Sequence, residues 1–195
     1  MSTSATQLRN TVYSSLMAAL IAAGGFIAIP VGPVPITLQT LFIFLAGLLL
    51  GMKWGAACVG IYLLAGGLGL PVFAAGKGGF AVFAGPTGGY LVGFLMAVFL
   101  IGIVTDSLDK RTDLSGSKRF VFDLIAVLIG SAAIYAVGVP WLKNVTGMPW
   151  QKAFMVGAVP FLPGAGIKII AAVIIAKAVR PAFGRSNITT DQTAV

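Results

Sequence analysis

The feature that most constrains the fold is a Gly- and Pro-rich stretch, residues 66–90, that separates two segments apolar enough to cross a membrane. It reads Gly-Gly-Leu-Gly-Leu-Pro-Val-Phe-Ala at 66–74 and Gly-Pro-Thr-Gly-Gly-Tyr at 85–90, which one helix could not accommodate. Lipid offers no hydrogen bonds to irregular backbone, so such backbone is tolerated only where it is buried in protein or lines a cavity. The stretch predicts a ligand-binding loop between membrane spans; the alternative is a Gly-rich surface turn without a ligand.

Composition independently indicates a membrane protein. Hydrophobic residues make up 58% of the chain and charged residues 9%, a balance that would leave a soluble fold covered in apolar surface. At 195 residues the chain is expected to be one domain. The net charge of +8 does not indicate nucleic acid, because the cations lie at the ends of apolar segments and form no stripe with interleaved aromatic residues.

The sequence lacks the residue types that catalysis usually needs. It has no His and no Glu, and its one cysteine, Cys58, lies in an apolar run. It therefore offers no acid–base pair, no nucleophile with its base, no metal site and no disulfide framework. A phosphate-binding loop is also missing from the sequence. We expect no enzymatic activity, cofactor or metal, and any ATP-driven step must come from another protein.

Six apolar segments predict an all-α integral membrane protein, a compact bundle of six transmembrane helices with Gly/Pro-rich outer loops. Residues 1–10 and the polar tail 181–195 are expected to flank this membrane domain of residues 11–180. The second and third segments are shorter than a usual span of about 17–25 residues, so their ends are expected to merge into loops. The segments cover residues 12–29, 36–50, 54–68, 88–104, 120–139 and 153–178.

Lysine and arginine predict the orientation. With the N-terminus inside, nine of these cations lie on the cytoplasmic side and three lie outside, which satisfies the positive-inside rule. Both termini are therefore expected in the cytoplasm. The loops at 31–35, 69–86 and 140–151 then face outward, the side from which a solute is captured. The cytoplasmic cations are Arg9, Lys53, Lys110, Arg111, Lys118, Arg119, Lys177, Arg180 and Arg185, and the outer ones are Lys77, Lys143 and Lys152.

Lys168 is the outlier, because it lies within the last apolar segment. A lysine at membrane depth costs about 2.5–3.5 kcal/mol on insertion scales, so such residues usually face a cavity and hold a partner. Pro163 and Gly164 are expected to break the helix just before it and to restart it, and a helix start also attracts anions. We predict a carboxylate site here, with the ligand as the missing counter-ion. The alternative is a lysine whose long stem reaches the membrane interface.

Other candidate ligand residues are less specific. Gln39, near the outer end of the second segment, is suited to hydrogen-bond either a polar ring or another helix. Lys77 in the long loop is a second candidate anion partner or, alternatively, an exposed surface lysine. Phe73, Tyr90 and Trp141 fit the wall of an apolar pocket, and they also fit an interfacial aromatic belt.

Two overlapping small-xxx-small patterns mark the first segment. They pair Ala18 with Ala22 and Ala19 with Ala23. Such patterns let another helix approach closely. The sequence leaves open whether that helix is internal or belongs to another subunit.

Four motifs, in order, resemble the BioY family, the biotin-specific S components of energy-coupling-factor (ECF) transporters. The resemblance covers approximately residues 8–180. It implies a six-helix membrane fold that binds biotin from outside. It also implies that the alanine patch docks on a transmembrane coupling subunit, which works with ATPase subunits. The motifs are Val-Pro-Ile-Thr-Leu-Gln-Thr-Leu at 34–41, Gly-Leu-Pro-Val-Phe at 69–73, Gly-Pro-Thr-Gly-Gly-Tyr-Leu at 85–91, and Pro163-Gly164 followed by Lys168.

The resemblance implies site residues as well. It implies that Lys168 lies near the bound vitamin, and that backbone around Gly85, Thr87 and Tyr90 approaches the ligand closely, for which glycine is suited. The family motif usually reads Pro-Gly-Asp-x-x-Lys, and Ala165 stands where the acid is expected. A different arrangement of donors, using Gln39 or Lys77, is therefore implied.

The expected function is high-affinity capture of biotin from outside and its uptake across the cytoplasmic membrane, as the substrate-binding subunit of an ATP-driven vitamin transporter. Biotin combines apolar surface with a ureido group and one carboxylate, which suits an apolar pocket with a few polar groups. An S component for another anionic vitamin or small solute is the main alternative. An intramembrane enzyme is disfavoured by the missing catalytic groups, and a structural membrane protein by the outer Gly/Pro loops.

Overall fold

The chain is mostly helical over residues 3–111 and 115–183, the part that this computed structural model describes. Two short antiparallel strands, β1 and β2, pair Ala28 with Thr37 and Ile29 with Ile36 between the first two helices. The predictions for Arg185 and for the rest of the tail beyond residue 183 lie outside the described residues. The elements are α1 (Thr3–Phe26), β1 (Ala28–Ile29), β2 (Ile36–Thr37), α2 (Gln39–Gly67), α3 (Ala81–Ala84), α4 (Gly88–Asp109), α5 (Gly116–Thr146), α6 (Trp150–Gly157) and α7 (Leu162–Val179), with 3-10 turns at Ala74–Gly76, Val159–Phe161 and Arg180–Phe183.

Helix α2 folds back on itself at Gly51. Gly51 has φ 74° and ψ −169°, a backbone conformation that favours glycine. The side chains of Gln39, before this turn, and Tyr62, after it, form a hydrogen bond. In a straight helix, residues 23 apart would be separated by about 35 Å. A Cβ added at Gly55 would lie 3.0 Å from the carbonyl oxygen of Ala46. The halves on either side of Gly51 are therefore antiparallel neighbours, and they correspond to the second and third predicted segments.

Helix α4 lies at the centre of the bundle, between α2 and α5. Its residue Ile101 is fully buried. Gly47 of α2 and Gly130 of α5 make room for it, since a Cβ at either position would come within 2.7 Å or 2.6 Å of Ile101 side-chain atoms. Small residues at such crossings let membrane helices pack by close van der Waals contact.

Four helical segments are long and apolar enough to cross a membrane: Gln39–Gly67, Gly88–Asp109, Gly116–Thr146 and Trp150–Phe183. The first half of α1 is more polar, with Arg9 and Asn10 among its residues. Large apolar side chains remain exposed on the outer faces of the helices, as expected where the surroundings are lipid. On α4 these are Val92, Leu95, Met96, Phe99 and Ile103.

The prediction of a loop at residues 140–151 is wrong. Helix α5 continues through Pro140 to Thr146 and ends at Gly147, whose φ of 69° forms a left-handed cap. Proline removes one helical hydrogen bond, but packing of the next residue, Trp141, on α4 holds the last turns in place. Only residues 147–149 connect α5 to α6.

Buried ion pairs tie the helices together at the end of the bundle that contains the Gly51 turn; we call this the charged end. Asp123 of α5 accepts from Arg119 Nε at 3.2 Å and from Arg180 Nη2 at 2.8 Å. Arg119 Nη2 also lies 2.7 Å from Asp109 Oδ1 on α4. These pairs connect α4, α5 and the turn that follows α7.

Candidate functional site

A cleft opens at the opposite end of the bundle, where the irregular segments gather. We call it the cleft end. Helices α2, α4, α5 and α7 supply its walls, and the β2 loop and the segment between α2 and α4 cover it. The predicted Gly/Pro-rich loop thus lies over a cavity, as the sequence indicated. The lining residues are Val34, Pro35, Thr37, Gln39, Thr40, Phe73, Ala74, Lys77, Val82, Thr87, Tyr90, Leu91, Phe94, Ile134, Tyr135, Phe161 and Lys168.

Lys168 reaches the cleft from the second turn of α7, which begins at Leu162 with Pro163 in its first turn. Its ammonium group donates to the carbonyl oxygen of Thr37 at 2.6 Å and to Thr40 Oγ1 at 3.2 Å. Both partners are neutral. A lysine ammonium has three donors, so one donor and the whole positive charge remain for a ligand in the cleft.

A chain of polar side chains lies beside this lysine. Gln39 Nε2 donates to the hydroxyl of Tyr62 from the other half of the α2 hairpin, and Gln39 Oε1 accepts from Thr37 Oγ1 at 3.1 Å. Gln39 and Tyr62 are both buried. These bonds fix the amide, which keeps one further Nε2–H for a ligand.

Aromatic rings form much of the remaining wall. Phe73 is buried and meets Tyr62 and Phe83 edge-on, with ring centroids 5.5 Å apart in both pairs. Tyr90 stacks with Phe161 at 6.4 Å and donates its hydroxyl hydrogen to the carbonyl oxygen of Gly157 at 2.8 Å. The Tyr90 hydroxyl is thereby used in joining α4 to the segment before α7, so its ring rather than its hydroxyl faces a ligand.

The electrostatics of the cleft are one-sided. Among the described residues that line it, Lys77 and Lys168 are the only charged ones, and none is an acid. Apolar and aromatic side chains surround them. An anion with a sizeable apolar body is the kind of ligand that matches such a cavity.

The cleft brings together six of the eight predicted ligand residues: Gln39, Phe73, Lys77, Thr87, Tyr90 and Lys168. Gly85 and Trp141 are not among its lining residues. Instead, Trp141 Nε1 donates to the carbonyl oxygen of Gly85 at 3.0 Å.

The glycines of the 85–90 motif also serve packing. A Cβ at Gly89 would lie 2.2 Å from Trp141 Cβ, and one at Gly88 would lie 1.8 Å from the carbonyl oxygen of Phe83. The close neighbours of these two glycines are therefore α5 and the preceding turn, while Thr87, Tyr90 and Leu91 of the same motif line the cleft. The expectation that this backbone approaches a ligand stays a prediction.

Sequence reasoning missed Thr40, Tyr135 and Phe161. Thr40 lies next to Gln39, and its pairing with Lys168 joins residues 128 apart in the chain, which no local pattern reveals. Tyr135 could have been recognised from the sequence, since it is a polar residue within the apolar run of α5. Phe161 lies between Pro160 and Pro163, where a helix break was expected.

The four alanines of α1 separate into two rows. Ala18 is buried in the bundle, and Ala22 is half-buried and packs against the core. Ala19 and Ala23 are exposed. Ala18 is thus corrected from an accessible docking residue to an internal one, because successive residues on a helix point about 100° apart and only one row faces outward.

Comparison with known proteins gives consistent results. A model of the BioY family matches residues 1–185. A Thermotoga maritima protein described as "Biotin transporter BioY" is 41% identical over 169 residues, 87% of this chain and 94% of that protein. A Rhizobium etli protein of the same description is 40% identical over 174 residues, 88% of this chain and 92% of that one. A crystal structure of the S-component for biotin from an ECF-type ABC transporter is similar with a TM-score of 0.84 and 37% identity, covering 93% of this chain and 95% of that chain.

Proposed function

This chain belongs to the BioY family, and we infer that it is the biotin-binding subunit of a membrane transporter rather than an enzyme. The observation that carries this inference is the cleft around Lys168, in which the charged lining residues are lysines and most of the other lining residues are apolar or aromatic. Biotin has one carboxylate on an apolar body, so it matches both properties. The protein takes up biotin across the cell membrane.

We propose that the biotin carboxylate binds the free donor of Lys168. Thr37 and Thr40 supply neutral oxygens where the family motif would supply an acid at the position of Ala165. The lysine therefore keeps its charge for the ligand. Lys77, exposed at the mouth of the cleft, adds long-range attraction for the carboxylate. Gln39 and Thr87 are available to the ureido group of biotin. The rings of Phe73 and Tyr90 contact its apolar body.

A direct binding measurement tests this function. We expect the detergent-solubilised chain to bind biotin tightly by isothermal titration calorimetry and to bind biotin methyl ester more weakly, because the ester has no negative charge. Thiamin and riboflavin serve as controls and should not compete. Tight binding of another anionic vitamin, with none of biotin, would favour the alternative S-component function.

We propose six membrane crossings, made by α1, the two halves of α2, α4, α5, and α6 with α7. The hairpin at Gly51 supports the separate halves of α2, and the nine-to-three cation asymmetry supports cytoplasmic termini. In a Cys58→Ala background, Lys77→Cys should react with an impermeant thiol reagent added outside intact cells. Labelling that needs lysed cells would contradict this orientation.

We further propose that an ECF coupling subunit docks on the exposed row of α1, Ala19 and Ala23. Small residues there allow a partner helix to approach closely. Ala19→Trp should preserve biotin affinity but reduce copurification with the coupling subunit, whereas Val92→Trp, on the exposed face of α4, should leave both unchanged. If Ala19→Trp copurifies normally, the partner docks elsewhere. Ala22→Trp should instead destabilise the bundle, since Ala22 packs against the core.

Concentrative uptake is proposed to depend on ATPase partners, because the sequence carries no phosphate-binding loop. The chain reconstituted alone into liposomes should bind biotin without accumulating it against a gradient. Accumulation driven by ATP with no other subunit present would contradict the proposal.

A further inference from the structure

A second cavity, of about 170 Å³, lies at the charged end, far from the cleft. Helix α1 contributes Arg9, Asn10 and Tyr13 to its wall, and Trp54 and Phe183 face them. Two buried leucines of α2 form its floor. It has room for a group of several heavy atoms, and the biotin proposal does not use it.

The Arg9 side chain at this cavity has one nitrogen without a partner among the described residues. Its Nε is covered by protein and has no hydrogen-bond partner among the described residues, and none of them forms an ion pair with it. A guanidinium that is partly buried without an acceptor is costly, because it has lost hydration without replacing it. The position calls for an acceptor that enters from outside the described chain.

The acids at this end have other contacts. Asp123 binds Arg119 and Arg180, and Asp109 pairs with Arg119. Asp106 accepts from the backbone N–H of Met52 at 2.9 Å. None of the described residues that line the cavity is an acid, so none of them balances the charge of Arg9.

The other groups around the cavity favour an anion. Asn10 and Trp54 also line the cavity, and Lys53 lies nearby as a second cation, with its ammonium 5.9 Å from the centre of the Trp54 ring. Tyr13 packs on Phe183, with ring centroids 4.5 Å apart. Cations mixed with aromatic rings are typical of the membrane interface, where headgroups lie.

We propose that this cavity binds a phosphate group, supplied by an anionic phospholipid headgroup or by free phosphate. The planar guanidinium of arginine binds two phosphate oxygens at once, and the charge-assisted bonds are short and strong. Asn10 and Trp54, which also line the cavity, carry further donors for a remaining oxygen. The negative cytoplasmic leaflet would concentrate headgroups at this end in the proposed orientation.

Thermal unfolding of the full chain in neutral detergent tests the proposal, with three probes compared: short-chain phosphatidylglycerol, short-chain phosphatidylcholine and inorganic phosphate. Stabilisation by phosphatidylglycerol alone would identify a lipid headgroup as the source. Stabilisation by inorganic phosphate as well would identify phosphate in general. If none of the probes raises Tm, or if phosphatidylcholine acts as strongly as phosphatidylglycerol, the proposal is wrong.

Variants locate the effect. Arg9→Gln should weaken binding of the effective probe by about tenfold or more, as loss of a charge-assisted bond predicts. Lys118→Gln is the matched control, because it removes the same charge from an exposed position at the same end. Equal losses in both variants would indicate non-specific attraction and overturn the proposal.

Should Arg9→Gln fold poorly, Trp54→Phe removes one donor while keeping a ring, and unchanged probe affinity in it would count against the site. Biotin affinity should be unchanged in each variant, which separates this test from that of the transport function.

Discussion

Lys168 at the cleft end and the arginines paired with Asp123 at the charged end are held by opposite kinds of partner. At the cleft end, Lys168 bonds only to the neutral oxygens of Thr37 and Thr40. At the charged end, Arg119 and Arg180 share the carboxylate of Asp123, whose side chain is 2% exposed. The first arrangement holds a cation in position but leaves its charge unbalanced, whereas the second neutralises charge inside the protein. The type of partner therefore distinguishes a ligand-binding cation from one that holds helices together.

The backbone also differs between the two ends, and the cleft end is the less regular of the two. The cleft end is built from strand and loop segments with 3-10 turns, whose contacts can rearrange when a ligand enters. At the charged end, ion pairs connect three parts of the chain that are far apart in sequence. We expect mutations of the Asp123 ion pairs to act on stability and mutations of Lys168 and its partners to act on biotin affinity.

The largest effect is expected from Asp123→Asn. It leaves two largely buried arginines without their shared carboxylate, and breaking a buried ion pair costs about 3–5 kcal/mol of unfolding free energy. Thermal and denaturant unfolding in detergent measure it. Asp109→Asn is the control, with a smaller loss expected because the side chain of Asp109 is 18% exposed. A loss below that of Asp109→Asn would break the comparison.

The next largest effect is expected from Lys168→Ala, which should lower the affinity for biotin rather than the stability of the fold. Loss of a hydrogen bond to a charged group costs about 1.5–3 kcal/mol, which weakens biotin binding about 10- to 150-fold. Binding of the methyl ester should change little. Lys77→Ala, at an exposed position, should cost less than about 1 kcal/mol. If biotin and its ester lost affinity equally, Lys168 would be a structural residue.

Tyr62→Phe probes the hydrogen bond across the α2 hairpin. It leaves a buried N–H of Gln39 without its acceptor, at a cost of about 1–3 kcal/mol in stability. Unfolding experiments measure the loss, and biotin titration shows whether the amide also shifts. Unchanged stability would mean that the amide finds another acceptor, and the cleft end would then be less rigid than described.

Thr40→Val should have the smallest effect. The substitution keeps the side-chain shape but removes one neutral acceptor from Lys168, at a cost of about 0.5–1.5 kcal/mol in biotin affinity. Thr40→Ser, which retains the hydroxyl, should bind nearly as the unchanged protein does. If Thr40→Val bound biotin normally, the carbonyl of Thr37 alone would suffice to position the lysine.

Much of this protein was predictable from local sequence. Runs of apolar residues predicted the membrane helices, and the Gly- and Pro-rich stretch predicted where helix gives way to the loop over the cleft. Lys168 was identified because one lysine in an apolar segment needs a reason. By contrast, Gly85 and Trp141 were assigned to the ligand although they bind each other, since both local patterns fitted a pocket equally well.

The sequence by itself determined that the chain lies in a membrane, its family, the Gly- and Pro-rich break before α4, and a lysine that lines the cleft, because hydropathy, backbone breakers and unpaired charge are properties of neighbouring residues. Only the tertiary structure decided that α2 reverses at Gly51, that Thr40 holds Lys168, and that Ala19 and Ala23 rather than Ala18 face outward. These outcomes depend on how each helix is rotated about its axis and on which residues far apart in the chain come into contact. Close packing of neighbouring helices sets both.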